Sequence, residues 1–402
     1  MNLKNILDGI EGLKAKGELD LEIEGIESNS KKIEKGFLFV AIKGFTVDGH
    51  EFIGSAIENG AVAVVVDESC DLKALKIPSN VTLIVAKDTR EFLALASANF
   101  YGNPSEKFKL IGITGTKGKT TTTFMIKEIL EKAGKKVGLI GTIATYINGK
   151  KIADSDRTTP ESLELQRMFA DMVKEGVEYV VMEVSSQSLK LHRVDGCHFD
   201  YVAFTNFSED HISEKEHPNM EDYLQSKLKL FKMCKTGFVN IDDLQGNKIP
   251  AMFPDSDITG YGIDNFGNFL AKDITITNSY VDFKAKIADR NERVKVDIPG
   301  RFTVYNALCA ICVCRKIGIE SSVMKEALEK IKVPGRSEMV ENKLEIPIMI
   351  DYAHSPESLQ NILQAVKSYT RGRVISVFGC GGDRDTTKRP IMGEISGKIA
   401  DF

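Results

Sequence analysis

The chain has 402 residues, a length that predicts two or three domains. A hydrophobic share of 42% beside a charged share of 27% is that of a soluble globular protein, and the net charge of −4 excludes bulk attraction to nucleic acid or to a membrane surface. No apolar run approaches the roughly 18–20 residues of a membrane span, the segment Met1 to Asp8 carries no signal-peptide core, and the expected location is the cytoplasm.

In chain order, Phe37 to Ile42, Ala61 to Val66 and Val81 to Ala86 read as buried strands, with helix-like segments such as His50 to Asn59 between them. The turn cluster Tyr101-Gly-Asn-Pro-Ser105 marks a boundary and closes a first domain of residues 1–105. The second block, residues 106–334, opens with the apolar run Phe108 to Ile113. A Gly-rich turn follows, and Lys119-Thr120 begins a segment with helical spacing at Phe124, Ile126, Ile129 and Leu130. Further strand–helix units run through Val137 to Ile140, Tyr179 to Val184, Tyr201 to Thr205 and Phe238 to Ile241. Each apolar strand ends at polar residues, as expected where ligands bind at the carboxyl edge of a parallel sheet.

From Ile274 to Ile298 the alternation predicts antiparallel strands, and a helix is expected over Val304 to Ile317. It holds Cys309, Cys312 and Cys314, the one cluster among seven cysteines that are otherwise too scattered for a disulfide framework. In a buried helix they act as small hydrophobes; a metal site is the alternative and needs a fourth ligand and a partly open loop. Val333-Pro-Gly-Arg336 marks a second boundary, leaving residues 335–402 as a third domain. There Ile348 to Tyr352 and Val374 to Gly379 read as parallel-type strands around a helix from Pro356 to Tyr369. The segment is short for an open α/β sheet, so this domain is expected to be incomplete, with Phe402 at the start of another strand.

The chemistry concentrates at Leu110-Ile-Gly-Ile-Thr-Gly-Thr-Lys-Gly-Lys-Thr-Thr-Thr-Thr123. Strand, Gly-rich turn and helix make a phosphate cradle, in which backbone N–H groups and the positive helix end face an anion. Lys119 can reach outer phosphates and the Thr120 hydroxyl can ligate Mg²⁺, so a nucleoside triphosphate is the expected ligand. A Gly-rich turn that binds nothing is the alternative, and the strand–helix context argues against it. Glu183 ends a buried strand and could hold Mg²⁺ near the phosphates, or cap a helix. Asp210-His211 follows the next strand and could converge on the same metal.

The loop has Ile113 where the common P-loop requires Gly, and Thr114-Gly-Thr-Lys-Gly-Lys-Thr120 resembles the nucleotide loop of the Mur ligase superfamily. Three more stretches carry that resemblance: Glu183-Val-Ser-Ser-Gln-Ser-Leu-Lys-Leu-His-Arg-Val-Asp-Gly196, Asp351-Tyr-Ala-His-Ser-Pro356 and Gly379-Cys-Gly-Gly-Asp-Arg-Asp-Thr-Thr-Lys-Arg-Pro390. Gly36 to Ile53 is similar to the family's uridine-nucleotide domain. Together they resemble the branch that adds the third amino acid to UDP-MurNAc-L-Ala-D-Glu. The resemblance implies a three-domain α/β protein: an N-terminal α/β UDP-binding domain, a central P-loop parallel-sheet ATPase domain and a partial Rossmann-like C-terminal domain. It implies an ADP-forming amide ligase of peptidoglycan precursor synthesis. ATP would phosphorylate the D-Glu side-chain carboxylate, and an amine would attack the acyl phosphate.

Carried over by residue, the resemblance implies that Gly115, Thr116, Lys117, Gly118, Lys119, Thr120 and Thr121 hold ATP, with Asn306, Arg336, Asp351 and His354. Thr120 and Glu183 would hold one Mg²⁺, and His211 would help hold a second. Lys227, which by spacing alone is a surface lysine, aligns with the lysine the family carries as a CO₂ adduct, an N6-carboxylysine able to ligate Mg²⁺. Thr158, Thr159, Ser185 and Arg193 would contact the muramoyl dipeptide, Ser30 and His50 the uridine nucleotide, and Arg384 the carboxylate of the incoming amino acid. A monomer is expected.

Two local sequences depart from the family. Asn29-Ser30-Lys31 stands where Asp-Ser-Arg is usual, and Lys lacks the planar fork of Arg. Ile212 to Pro218 replaces the usual Leu-Asp-Tyr-His-Gly, which predicts a differently shaped second-metal region. The family's selector of the third amino acid is expected beyond Phe402, so these residues do not choose between meso-diaminopimelate, L-lysine and another amine. The rival readings are a folylpolyglutamate- or cyanophycin-type ligase, against which the N-terminal motif and Arg157-Thr-Thr-Pro160 argue, and a non-catalytic binder of nucleotide or UDP-sugar.

Overall fold

The structure, a computed structural model, describes residues 1–73, 75–210, 212–213, 216–287, 290–344, 346–380 and 386–402. The N-terminal sheet has five strands in the order Lys14–Lys16, Thr82–Ala86, Ala61–Asp67, Phe37–Val40, Gly25–Glu27. All neighbours are parallel except the first pair. Alternate side chains serve opposite faces. Leu38, Val40, Ala63, Val65 and Ile84 pack with Leu3, Ile6 and Phe92, while Phe39, Val64 and Val66 pack with Ile53 and Ala56. A sheet covered on both faces explains why these strands are near-continuous apolar runs.

The central sheet has eleven strands. Its parallel part runs Val137–Ile140, Tyr179–Glu183, Lys109–Thr114, Tyr201–Phe204, Thr236–Asn240, Asp257–Gly262, Phe269–Ile276. Antiparallel strands extend both sides: Ala144–Ile147 and Lys150–Asp154 on one, Val281–Ile287 and Arg290–Val296 on the other. Ile111, Ile113, Val181 and Ala203 face the helices Lys119–Lys132 and Arg301–Ile317. Leu110, Val180, Met182 and Val202 face Ser162–Lys174 and Met220–Lys232. Helix Arg301–Ile317 buries Val304, Ala307, Leu308 and Ile311, the i, i+3, i+4, i+7 stripe. Its three cysteines are fully buried, and burial pushes the Cys309 thiol up to about 12, so they serve as core.

The third region corrects part of the sequence reading. Ile348–Ile350 pairs antiparallel with Glu338–Val340, and residues 374–379 form no strand. The described backbone bonds of that segment run to the last two residues: Asp401 and Phe402 donate to the Val374 carbonyl, and Ser376 donates to that of Phe402. That contact is too short to make a ladder. Helices Pro356–Tyr369 and Lys388–Ile399 pack through Leu359, Leu363, Val374 and Met392.

Leu308→Ala is expected to lower unfolding stability by about 2–5 kcal/mol, because it empties a fully buried site between helix and sheet. Chemical denaturation of the purified chain measures this.

Candidate active site

Strand Lys109–Thr114 lies between Tyr179–Glu183 and Tyr201–Phe204, so three parallel strand ends open side by side. The loop leaving the first is turned by Gly115 (φ 138°) and Gly118 (φ 84°). A Cβ at Gly115 would stand 2.0 Å from Thr205 Oγ1, and one at Gly118 2.5 Å from Asn306 Oδ1. Both positions therefore require glycine. The adjacent strand end holds the loop: Asn206 Oδ1 accepts from Lys117 N (2.9 Å), while Thr205 Oγ1 and Asn206 Nδ2 donate to the Lys117 carbonyl at 2.6 and 3.0 Å. Thr122 Oγ1 donates to Asn306 Oδ1 at 3.4 Å, tying the following helix to the residue behind Gly118. Gly118 gives that helix no side-chain cap, which leaves its first-turn amides to an anion.

Glu183 is buried, and Thr142 brackets its carboxylate. Thr142 N donates to Oε1 at 2.8 Å and Thr142 Oγ1 to Oε2 at 3.0 Å. Thr120 Oγ1 donates to Oε2 at 3.0 Å, and Arg336 Nη2 to Thr120 Oγ1 at 3.1 Å. Gly141 makes room for this carboxylate, since a Cβ there would meet Oε1 at 2.4 Å. Among the described residues no three His, Cys, Asp or Glu side chains form a metal cage. The paired hydroxyl and carboxylate are hard oxygen donors beside a phosphate loop, a set that fits Mg²⁺ sharing its ligands with a triphosphate.

Two lysines reach the Gly115 carbonyl. Lys119 Nζ lies 3.0 Å from it and 3.0 Å from the Thr116 carbonyl; Lys227 Nζ lies 2.9 Å from it. Lys227 is 1% exposed, with its ammonium nitrogen 4.3 Å from the Tyr223 ring centre. Desolvation pushes Lys119 down to about 8. Burial, with Lys119 and Lys117 close by, holds Lys227 well below the ordinary lysine range. Lys117 Nζ donates to Asp210 Oδ2 (2.8 Å) and to Ser355 Oγ in the third region (3.0 Å), and Ser208 Oγ donates to Glu357 Oε2 at 2.6 Å. The Arg336 guanidinium stacks 4.4 Å from the Tyr352 ring centre. Asp351 accepts from Ser337 N and Ala353 N, and His354 turns Nδ1 to the Tyr352 carbonyl. Asp351 and His354 thus shape the turn that carries Tyr352.

Beside Glu183, Thr159 Oγ1 donates to the Glu183 carbonyl (2.9 Å) and accepts from Ser185 N (3.1 Å), while Thr158 Oγ1 lies 3.1 Å from Thr142 Oγ1. Arg193 pairs with Glu161 at 2.9 Å and donates to the Thr159 carbonyl. Thr158, Thr159, Ser185 and Arg193 are therefore gathered at one edge of the site. Ser30 and His50 belong to the N-terminal sheet's loops, and no described bond links them to the phosphate loop. His50 Nδ1 donates to Asp48 Oδ1 at 2.6 Å and Nε2 accepts from Asp67 N, so both ring nitrogens are used within that domain. Thr116 Oγ1 joins Ser208 and Tyr223, and Thr121 is buried at the helix start. His211 and Arg384 lie outside the described residues.

Family models match across the chain: the Mur ligase middle domain over residues 113–314, the Mur ligase family catalytic domain over 22–101 and the Mur ligase glutamate ligase domain over 335–402. The chain belongs to the Mur ligase family. A UDP-N-acetylmuramoyl-L-alanyl-D-glutamate–2,6-diaminopimelate ligase of Caldanaerobacter subterraneus subsp. tengcongensis is 47% identical over 406 residues, covering 100% of this chain and 82% of that protein. A solved structure of an enzyme of the same name superposes with TM-score 0.79 at 25% identity, covering 100% of this chain and 81% of that one. The MurF ligase of Thermotoga maritima, solved in complex with ADP, shares the fold at TM-score 0.64 and 20% identity, covering 93% and 82%.

In this Mur ligase the candidate site also contains Thr142, Thr205, Asn206 and Tyr223, to which the sequence alone assigned no role. Thr142 follows the strand Val137–Ile140, so the rule that singled out Glu183, a polar residue just past an apolar strand, also finds it. Tyr223 precedes Lys227 by four residues on one helix, a spacing that places both on one face.

Two outcomes are expected. Gly118→Ala should weaken ATP binding at least about tenfold, about 1.4 kcal/mol or more, in titration calorimetry, because it strains a positive-φ position and strikes Asn306. Lys119→Met should be more stable than the parent at pH 7 without nucleotide. A lysine depressed in the folded state binds fewer protons there than when unfolded, so parental stability rises with pH between about 8 and 10.5. The advantage of the variant should accordingly shrink over that window in pH-resolved unfolding experiments.

Proposed function

We propose that the chain is an ATP-dependent, ADP-forming ligase that joins 2,6-diaminopimelate to UDP-MurNAc-L-Ala-D-Glu, the third-residue step of peptidoglycan precursor synthesis. The observation that carries this is the joining of a Gly-turned phosphate loop to the Thr120–Glu183 oxygen pair, with the Thr158, Thr159, Ser185 and Arg193 cluster beside it. The name of the 47%-identical relative supports the choice of acceptor and amine.

Lys119, the loop amides and Arg336 would hold the triphosphate. Thr120 and Glu183 would hold one Mg²⁺, and His211 with a carboxylated Lys227 a second; magnesium there supplies charge neutralisation around the phosphates. Arg193 offers the planar fork suited to an acceptor carboxylate or phosphate. The γ-phosphoryl group passes to the D-Glu side-chain carboxylate, and the amine of diaminopimelate then displaces phosphate from the acyl phosphate. Catalysis rests on positioning and on cationic stabilisation. The neutral Lys227 amine, favoured by burial, is the form that attacks CO₂. Its lone pair makes the N–C bond, one N–H proton leaves to solvent, and the carbamate carries the negative charge. ATP and nucleotide-linked precursors support a cytoplasmic setting, and among the described residues no helix is long and apolar enough to cross a membrane.

The test is phosphate release from ATP and Mg²⁺ with UDP-MurNAc-L-Ala-D-Glu, with and without meso-diaminopimelate, followed by mass spectrometry. Amine-dependent release with a UDP-MurNAc-tripeptide product is expected. Glu183→Gln should lower kcat about 100-fold or more, the scale of losing one electrostatic stabiliser. A folded chain that binds both nucleotides without turnover, or that binds a folate and not the UDP-linked acceptor, would contradict the proposal.

A further inference from the structure

His217 is fully buried, and the ligase reading gives it no task. Its ring stands between two elements that carry site residues. Nδ1 lies 2.6 Å from Asp222 Oδ2, and Nε2 lies 2.9 Å from Ser186 Oγ. Lys190 Nζ also donates to Asp222 Oδ2 at 2.8 Å, so Asp222 is an ionised acceptor. A carboxylate facing Nδ1 keeps the ring proton there and leaves Nε2 to accept the Ser186 hydroxyl. Ser186 lies three residues after Glu183 and next to Ser185. Asp222 lies on helix Met220–Lys232, the helix of Lys227. The imidazole also packs 5.0 Å from the Tyr223 ring, which itself lies 4.3 Å from Lys227 Nζ, packs 5.1 Å from the Phe207 ring and donates to Thr116 Oγ1. The order hydroxyl, imidazole, carboxylate is that of a nucleophilic triad. Ser186 is 5% exposed and its proton is committed to the ring, so the arrangement serves as a clamp.

We propose that His217 is a positioning residue: it ties the turn after Glu183 to the helix of Lys227 and, through the Tyr223 ring, fixes where the Lys227 amine sits. A lysine has four rotatable carbons and one point charge, so a single carbonyl contact leaves the amine poorly placed. The ring on one side and the Gly115 carbonyl on the other define its position. The inference rests on the reading of Lys227 as the amine that takes up CO₂.

The experiment uses the full chain with lysine labelled by carbon-13 at Cε, and Lys227→Arg to assign the signal. In the parent protein the Lys227 Cε–H resonance should be displaced upfield by the Tyr223 ring. Labelled bicarbonate should add a carbamate carbon that Lys227→Arg abolishes. In His217→Ala the Cε–H signal should return toward the ordinary lysine position and carbamate occupancy should fall several-fold. His217→Asn, which keeps a donor toward Asp222, should restore much of both. Thermal midpoints accompany each variant. If His217→Ala does not fold, Ser186→Ala removes one end of the clamp and should shift the same resonance part of the way. An unmoved Lys227 resonance in a folded clamp variant overturns the proposal. A parent protein without a carbamate carbon overturns the CO₂ reading instead, and the Cε–H shift then decides the role of His217 alone.

Discussion

The Gly115 carbonyl oxygen is the point on which the site turns. It accepts from Lys119 at 3.0 Å and from Lys227 at 2.9 Å, and Lys117 and Arg336 stand around the same loop. Placing amines this close together in a poorly hydrated pocket costs free energy, and both lysines respond by shifting toward the neutral form. A fold accepts that cost where a polyanion completes the arrangement. On the proposed function, the same crowding that disfavours two ammonium ions would give a triphosphate its cationic cradle and leave Lys227 with a nucleophilic amine.

The rest of the fold positions this loop. The parallel strands bring Glu183, Thr205 and Asn206 to the same edge as the loop, and the glycines at 115, 118 and 141 remove side chains that would strike Thr205, Asn306 and Glu183. The helix Arg301–Ile317 holds Asn306 behind Gly118. The third region meets the loop through Lys117–Ser355 and Ser208–Glu357, so the candidate site joins parts of the chain far apart in sequence.

Much of this was legible in residue order. A loop of fixed glycine spacing after an apolar strand needs only local reading, as does Glu183 at the end of the next one. The parallel sheet and the buried cysteine helix followed from apolar runs and a 3.6-residue period. Partnerships between distant segments were harder. Nothing near Lys227 announces that its amine meets a carbonyl 112 residues away, and only the family resemblance marked it. The clamp of His217 on Ser186 and Asp222 likewise needs three-dimensional contact to be seen. Residues 374–379 are apolar enough for a strand, yet strand formation depends on a ladder partner, which composition does not reveal. For His50 the family resemblance implied a place near the uridine nucleotide, and the fold adds what residue order does not show, that its ring bridges Asp48 and Asp67.

The most direct test of the polyanion cradle is the thermal midpoint of the chain alone, with Mg²⁺ and ATP, and with adenosine at equal concentration. Ligand binding to the folded state stabilises as RT ln(1 + [L]/Kd), so the shift reports which part of the nucleotide the site grips. A large rise with ATP and little with adenosine is predicted, because the cationic groups at Gly115 answer the phosphates. Equal shifts for both, or none for ATP, would contradict the claim that this loop is built around a triphosphate.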